Sequence, residues 1–364
     1  MKLKTLIREL ENWAPPAYQE AYDNSRLLTG HSEMEITGVL ISLDCIESVV
    51  DEALANNCNV IVAHHPILFS GIKSLTGKNY VERTLIKAIK NDVAIYAIHT
   101  NLDNVISGVN HKIAEKIGLK NTKILAPATG KLMKLETACP EEAVEPIKQA
   151  VFEAGGGNIG NYADGWFGVQ GTAGFKPKAG ANPSIGSIDH YMSKPEMKLE
   201  FVFPSQLQQG ILQALKKVHP YEEFDYKIIR LENTNQEVGA GLVGDLSMPE
   251  NTDDFLRRIK SVFGCGVIKY SGKKPVKINK VALCGGAGFF LLQTALSAGA
   301  DVYITADVKY HDFFDAENRI LLADIGHYES EQFTKELIAD KLSAALGDLT
   351  LLVSNTDTNP VNYL

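Results

Sequence analysis

Four short segments of the chain carry side chains whose types and spacing suit metal binding: His64-His65-Pro66, His99 with Asp103, Asp307 with His311, and His327 with Glu331. Neutral imidazole is the commonest metal ligand. Mixed imidazole and carboxylate donors favour zinc, iron or manganese over calcium or magnesium. His327 and Glu331 stand four apart at an expected helix start, so both side chains can lie on one face. Three or four histidines with two or three carboxylates exceed what one ion needs. They suit a dinuclear site in which a carboxylate bridges two divalent ions. Each residue also has a plainer use: a strand-end histidine is more often a hydrogen-bonded structural group, and Asp103 and Asp324 would cap helices well. The recurrence of such clusters at four strand ends is what points to metal. Ligation needs neutral imidazole, so metal affinity is expected to fall below about pH 6.

The elements that must position these residues follow a βα grammar. Val60-Ile61-Val62-Ala63 reads as a buried parallel strand, and Pro66 ends it. His64 and His65 thus sit at the carboxyl end of a core strand, where open α/β sheets place ligands. Upstream, a helix is expected over 3–12, with Leu3, Leu6, Ile7 and Leu10 on one face, followed by irregular chain over 17–34. The strand 38–43 and the helix 46–56 complete a βαβ unit with the strand at 60–63, whose crossover should be right-handed. A helix over 80–91, a strand over 93–98 ending at His99, and a helix over 109–117 follow. From about residue 130 the order becomes strand–helix, strand, strand, helix–strand, with a Gly-, Pro- and Ser-rich stretch filling much of 165–195. That is the order of a ferredoxin-like sandwich. After Gly239-Ala240-Gly241 come the strand 281–284, the turn Gly285–Gly288, a helix over 289–298, strands at 302–305 and 320–324, and a helix over 333–346.

The two flanking regions resemble each other. Val39 to Val60 and Val281 to Val302 are strand–helix–strand units with the same separation of 21, and His99-x3-Asp103 matches His327-x3-Glu331. The expected fold is therefore α/β: two pseudo-repeated βα half-domains, residues 1–129 and 237–364, whose strand ends converge on a metal cleft. A ferredoxin-like α+β domain, residues 130–236, is inserted between them. The Gly285–Gly288 turn could lay backbone amides against a phosphate, or be only a tight turn. Tyr221-Glu222-Glu223, after His219-Pro220, is expected to serve local turn chemistry.

Composition bounds the function. A net charge of −8 over 364 residues argues against general nucleic-acid binding, which needs an electropositive surface. It leaves room for a nucleotide held by a few local groups. Five scattered cysteines without a CxxC suit free thiols in a reducing cytoplasm. No run approaches the roughly 18 apolar residues of a membrane span, and the first residues lack the apolar core of a signal peptide.

The segments Val62–Pro66, His99–Asp103, Thr305–His311 and Asp324–Glu331 together resemble the signatures of the GTP cyclohydrolase I type 2 homologs, the Nif-three-like family. The middle region, including His219–Glu223, is similar to the CutA/PII-like insert of the longer bacterial members. Ala306 stands where a glycine is more usual. The resemblance implies two metal ions per chain held by His64, His65, Asp103, His327 and Glu331, with Glu331 bridging. It leaves His99 as a candidate proton shuttle. It also implies a toroidal homohexamer and a metal-dependent hydrolase of a nucleotide-like substrate, such as one opening the imidazole ring of GTP with release of formate. The alternative is a metal-binding regulatory or scaffold hexamer without turnover, sensing a ligand through the insert.

Overall fold

The parallel core strands are short and buried on both faces: Val39–Ser42, Val60–Ala63, Ala94–Ala97, Val302–Thr305 and Leu321–Asp324 show no exposed residue. Such buried, mostly apolar runs are what a sheet covered by helices on both sides requires. The structure, a computed structural model, describes residues 1–160, 162–272 and 275–364. The chain divides into two compact units, Met1–Pro127 with Glu237–Leu364, and Ala128–Gln236.

Among the described residues of the first unit the strands form two sheets. One has the order Leu27–Thr29, Ala94–Ala97, Val60–Ala63, Val39–Ser42, Leu351–Val353. The other has the order Lys269–Tyr270, Leu321–Asp324, Val302–Thr305, Lys277–Leu283, Asn235–Asn251, Lys120–Ala128. Each contains three parallel strands flanked by an antiparallel edge strand on the same side. In register, Val39 lies opposite Val60 and Val281 opposite Val302, so the 21-residue spacing in the sequence becomes the same pairing in both sheets. The sheets differ at the far edge, where one gains a parallel strand from the C-terminal region and the other an antiparallel one.

Helices cover these sheets through local patterns that the sequence carries. Leu3–Trp13 buries Leu3, Leu6 and Leu10 on one stripe, worth roughly 1.5–3 kcal/mol per side chain. Tyr80–Lys90 starts at Asn79, whose side chain accepts from the Glu82 amide. Val109–Ile117 ends at Gly118, in the left-handed region that a helix C-terminus favours.

Several regions depart from the expected assignment, among them Leu351–Val353, a strand where none is expected. Residues 17–34 are not wholly irregular: Leu27–Thr29 pairs with Ala94–Ala97, a contact too short to leave a period in the sequence. Residues 242–276, assigned no element above, include the end of Asn235–Asn251 and the helix Thr252–Val262, which starts on the Asn251 side chain and buries Phe255, Leu256 and Ile259. Lys120–Ala128 is also a strand. Its neighbour in the sheet comes from beyond residue 235, so only tertiary pairing supports it.

The second unit is a four-stranded antiparallel sheet in the order Phe167–Phe175, Met192–Pro204, Leu132–Cys139, Tyr226–Leu231. The helices Val144–Glu153 and Gln208–Val218 bury Ile147, Val151, Ile211 and Leu215 with Phe201 and Phe203 of the sheet. Phe167–Phe175 falls inside the Gly-, Pro- and Ser-rich stretch, where the sequence marks no strand bounds. Its three glycines weaken local strand preference, and pairing with Met192–Pro204 supplies the order.

Candidate metal centre

Parallel strands end on the same side of a sheet, and every candidate ligand follows such an end. His64 and His65 succeed Val60–Ala63, His99 succeeds Ala94–Ala97, and Asp103 closes the short helix Thr100–Asp103. From the other half-domain His327 and Glu331 begin and end the helix His327–Glu331, just past Leu321–Asp324. The rings converge: His64 to His65 is 4.9 Å between centroids, and His64–His99, His65–His99 and His65–His327 are each 5.3 Å. Three overlapping groups bring their ligand atoms within 4.8 Å of one another: His64, His65 and His99; His65, His327 and Glu331; His64, Asp103 and Glu331.

Each imidazole presents Nδ1 to an acceptor. His64 Nδ1 meets the Ile98 carbonyl at 2.8 Å, His65 Nδ1 meets Asp44 at 2.8 Å, His99 Nδ1 meets Asp23 at 2.8 Å, and His327 Nδ1 meets Asp307 at 2.7 Å. An acceptor-only partner fixes the tautomer in which Nδ1 carries the proton, leaving Nε2 as the ligating atom. Outer partners of this kind orient the histidines of metal sites. His65 Nε2 and His327 Nε2 both face Glu331 Oε2, at 2.9 and 3.2 Å. His64 Nε2 and Asp103 Oδ1 are buried, 3.6 Å apart and without a hydrogen-bond partner. Two orphaned polar atoms side by side cost several kcal/mol in a dry interior, on the order of 1–3 each. A cation between them removes that cost, so the donor set fits a metal.

The electrostatics are those of a site that holds protons when no ion is bound. Complete burial pushes the His64 imidazole down to about 3. Burial also pulls on His65, but the hydrogen bonds and charges of Asp44 and Glu331 outweigh it and hold that ring up at about 9. The Glu331 charge, against burial and with help from Asp307, holds His327 up at about 11. Glu331 itself is kept well below the usual carboxylate range: burial opposes ionisation, and His327 and His65 overcome it. Asp103 is raised well above that range by burial and by the Glu331 charge.

The turn at Gly285–Gly288 has a different part from phosphate binding. Its Gly285, Gly286 and Gly288 amides donate to Asn110 Oδ1, Ser330 Oγ and Thr305 Oγ1. Gly286, at φ +59°, lies so close to the site that a Cβ there would come within 2.4 Å of Glu331 Oε1. The glycines admit the Glu331 carboxylate.

Other expectations shift. Asp307 orients His327, at φ +56°, a left-handed conformation that aspartate tolerates. His311 is exposed and packs on Tyr310 and Phe314, outside the three ligand groups. Asp324 holds its loop, accepting from the Val308 and Gly326 amides and from Lys269. The Tyr221–Glu223 cluster is more than a local turn: Tyr221 donates to Glu196 at 2.5 Å, and Glu222 accepts from the Asn182 amide. Asp23 and Asp44 escaped the sequence reading. Asp44 alone offered a signal, standing two residues past a core strand as His65 does.

A sequence profile of the Duf34/NIF3 (NGG1p interacting factor 3) family matches residues 1–360. The chain belongs to that family. Among Duf34/NIF3 relatives, the GTP cyclohydrolase 1 type 2 homolog of Bacillus subtilis (strain 168) is 36% identical over 365 residues, covering 99% of this chain and 98% of its own. A protein of the same name from Staphylococcus epidermidis (strain ATCC 12228 / FDA PCI 1200) is 34% identical over 367 residues, covering both chains fully. The crystal structure of a Bacillus cereus protein related to NIF3 superposes with a TM-score of 0.86 at 32% identity, covering 100% of this chain and 99% of that one. No helix among the described residues of this Duf34/NIF3 chain is long and apolar enough to cross a membrane.

Proposed function

We propose that this chain is a dinuclear-metal protein that hydrolyses a nucleotide-like substrate. The observation that carries the reading is the convergence of four imidazoles, each anchored through Nδ1, two of which, one from each half-domain, face the Glu331 carboxylate. One ion would be held by His64, Asp103 and Glu331, the other by His65, His327 and Glu331, with Glu331 common to both. Zinc, iron and manganese match these donors. Two such ions supply Lewis acidity and acidify water to near neutrality. The chain's own residues do the rest. Asp23 fixes the His99 ring, whose Nε2 is then available to take or give a proton at the cleft. Tyr22, Phe69 and Phe290 line the same cleft of about 340 Å³ while 69%, 57% and 69% exposed, and such faces suit stacking on a flat heterocycle.

The insert supports a second reading. Its strand order and antiparallel pairing are those expected for a ferredoxin-like, CutA/PII-like domain. It carries a groove of about 910 Å³ lined by Lys216, His219, Tyr221, Glu222 and Phe224. A ligand-sensing, metal-binding scaffold without turnover would use that groove. In both readings the chain works as a toroidal homohexamer, which sedimentation measures directly. Metal-reconstituted protein assayed against GTP and a nucleotide panel, with formate and phosphate release followed, separates the two. Absence of turnover at full metal content would favour the scaffold.

A further inference from the structure

The last residues of the chain, beyond the strand Leu351–Val353, have no regular structure and yet reach the metal cleft. The reason is topological. Leu351–Val353 runs parallel to Val39–Ser42, with Val353 opposite Ile41, so both strands deliver their chains to the same edge of the sheet. At that edge Glu52, on the helix Glu47–Ala55, accepts from Ser354 Oγ (2.6 Å), the Asn355 amide (2.8 Å), the Thr356 amide (3.2 Å) and Thr356 Oγ1 (2.6 Å). Four donors on one carboxylate pin the start of the segment. Thr358 Oγ1 then donates to Asp44 Oδ2 at 2.6 Å, while Asp44 Oδ1 accepts from His65 Nδ1 at 2.8 Å. The segment continues to the other half-domain, where Asn359 approaches Glu329 at 3.5 Å and the Tyr363 ring covers Gly266. Asn359 and Pro360 wall two cavities, of about 580 and 510 Å³, and Asp44 and His65 line both.

We propose that Thr358 is a positioning residue for the metal centre, and that the strap from Ser354 to Tyr363 sets how firmly the ion at His65 is held. The inference rests on the metal reading above. Asp44 is on a loop and partly exposed, so its carboxylate is free to rotate unless its second oxygen is engaged. The Thr358 hydroxyl engages it, and the fixed carboxylate in turn fixes the plane of the His65 ring. A carboxylate that orients a ligating histidine is worth about 10–100-fold in metal affinity. Thr358 acts one step further out, and its loss should cost about threefold to tenfold.

The full-length chain loaded with Co2+ tests this by chelator competition and by the ligand-field bands, which report the geometry at the ion. Thr358→Val keeps the shape and removes the hydroxyl; it should weaken Co2+ binding by that factor and shift the bands. Thr358→Ser restores the hydroxyl and should restore both. Thr358→Val matching the parent in affinity and spectrum overturns the proposal. So does Thr358→Ser binding as weakly as Thr358→Val, because the hydroxyl is then not the cause. Weakened binding with unshifted bands and a lower melting temperature of the metal-free variant assigns Thr358 to the fold alone, and also overturns it. A parent chain that takes up no Co2+ is a different failure, since it removes the metal reading itself.

Discussion

Metal uptake by this chain should expel protons, and the number follows from the cleft. In the metal-free chain His65 is held at about 9 and His327 at about 11, so at pH 7.5 both carry a proton on Nε2, the atom an ion needs. His64, at about 3, is already neutral, and Glu331 is already ionised. Loading both ions therefore displaces about two protons per chain from imidazole. The sign for stability runs the other way in the metal-free chain. A His65 raised from 6.5 to about 9 contributes about 3 kcal/mol, fully present below pH 6.5 and lost as the pH rises through 9. Removing the ions should thus leave a protein whose melting temperature falls above pH 7. The overall two-ion binding constant should meanwhile rise about a hundredfold per pH unit between pH 7 and 8, and more slowly above 9. Calorimetric titration with zinc in buffers of different ionisation enthalpy counts the protons. Release below about half a proton per chain, or an affinity flat from pH 7 to 9, would refute the assignment of His65 and His327 as ligands.

Glu331→Ala removes a carboxylate common to two ligand groups, so elemental analysis after dialysis should find both ions lost; retention of one full equivalent would disprove the bridge. Gly286→Ala places a Cβ 2.4 Å from Glu331 Oε1 at φ +59°, a conformation costing a non-glycine residue roughly 1–2 kcal/mol. That variant should fold with a slightly lower melting temperature and bind metal at least about tenfold more weakly, and unchanged affinity in a zinc titration would count against the placement of Glu331. Deleting residues 128–236 and joining Pro127 to Glu237 through a short Gly-Ser linker should leave a folded, metal-binding remainder, because the junctions lie on neighbouring strands and Gly239 packs against Pro127. Aggregation with every linker length would show that the insert supports the main core.

The amino-acid sequence by itself determined most of the parallel core strands, though not Leu351–Val353, and the candidate ligands at their ends. Val60–Ala63 before His64-His65-Pro66, Ala94–Ala97 before His99, and Leu321–Asp324 before His327 are local signals: a buried apolar run, then polar groups where the run stops. The helix Thr252–Val262 carries local signals too, with Asn251 as its cap and Phe255, Leu256 and Ile259 on one face. What holds the imidazoles was decided by the tertiary structure. Asp23 stands 76 residues before His99, Asp44 stands 21 before His65, and Thr358 reaches Asp44 across 314 positions. Those distances leave no period or spacing in the chain, because each partner is brought in by strand order and not by neighbouring residues. The same holds for Phe167–Phe175 and Lys120–Ala128, which become strands through their pairing in the sheet. Glycines 285 and 286 show the division most plainly. Their spacing reads as a turn, which it is, but only the tertiary structure shows what a side chain would meet there: Ile113 at Gly285 and the Glu331 carboxylate at Gly286.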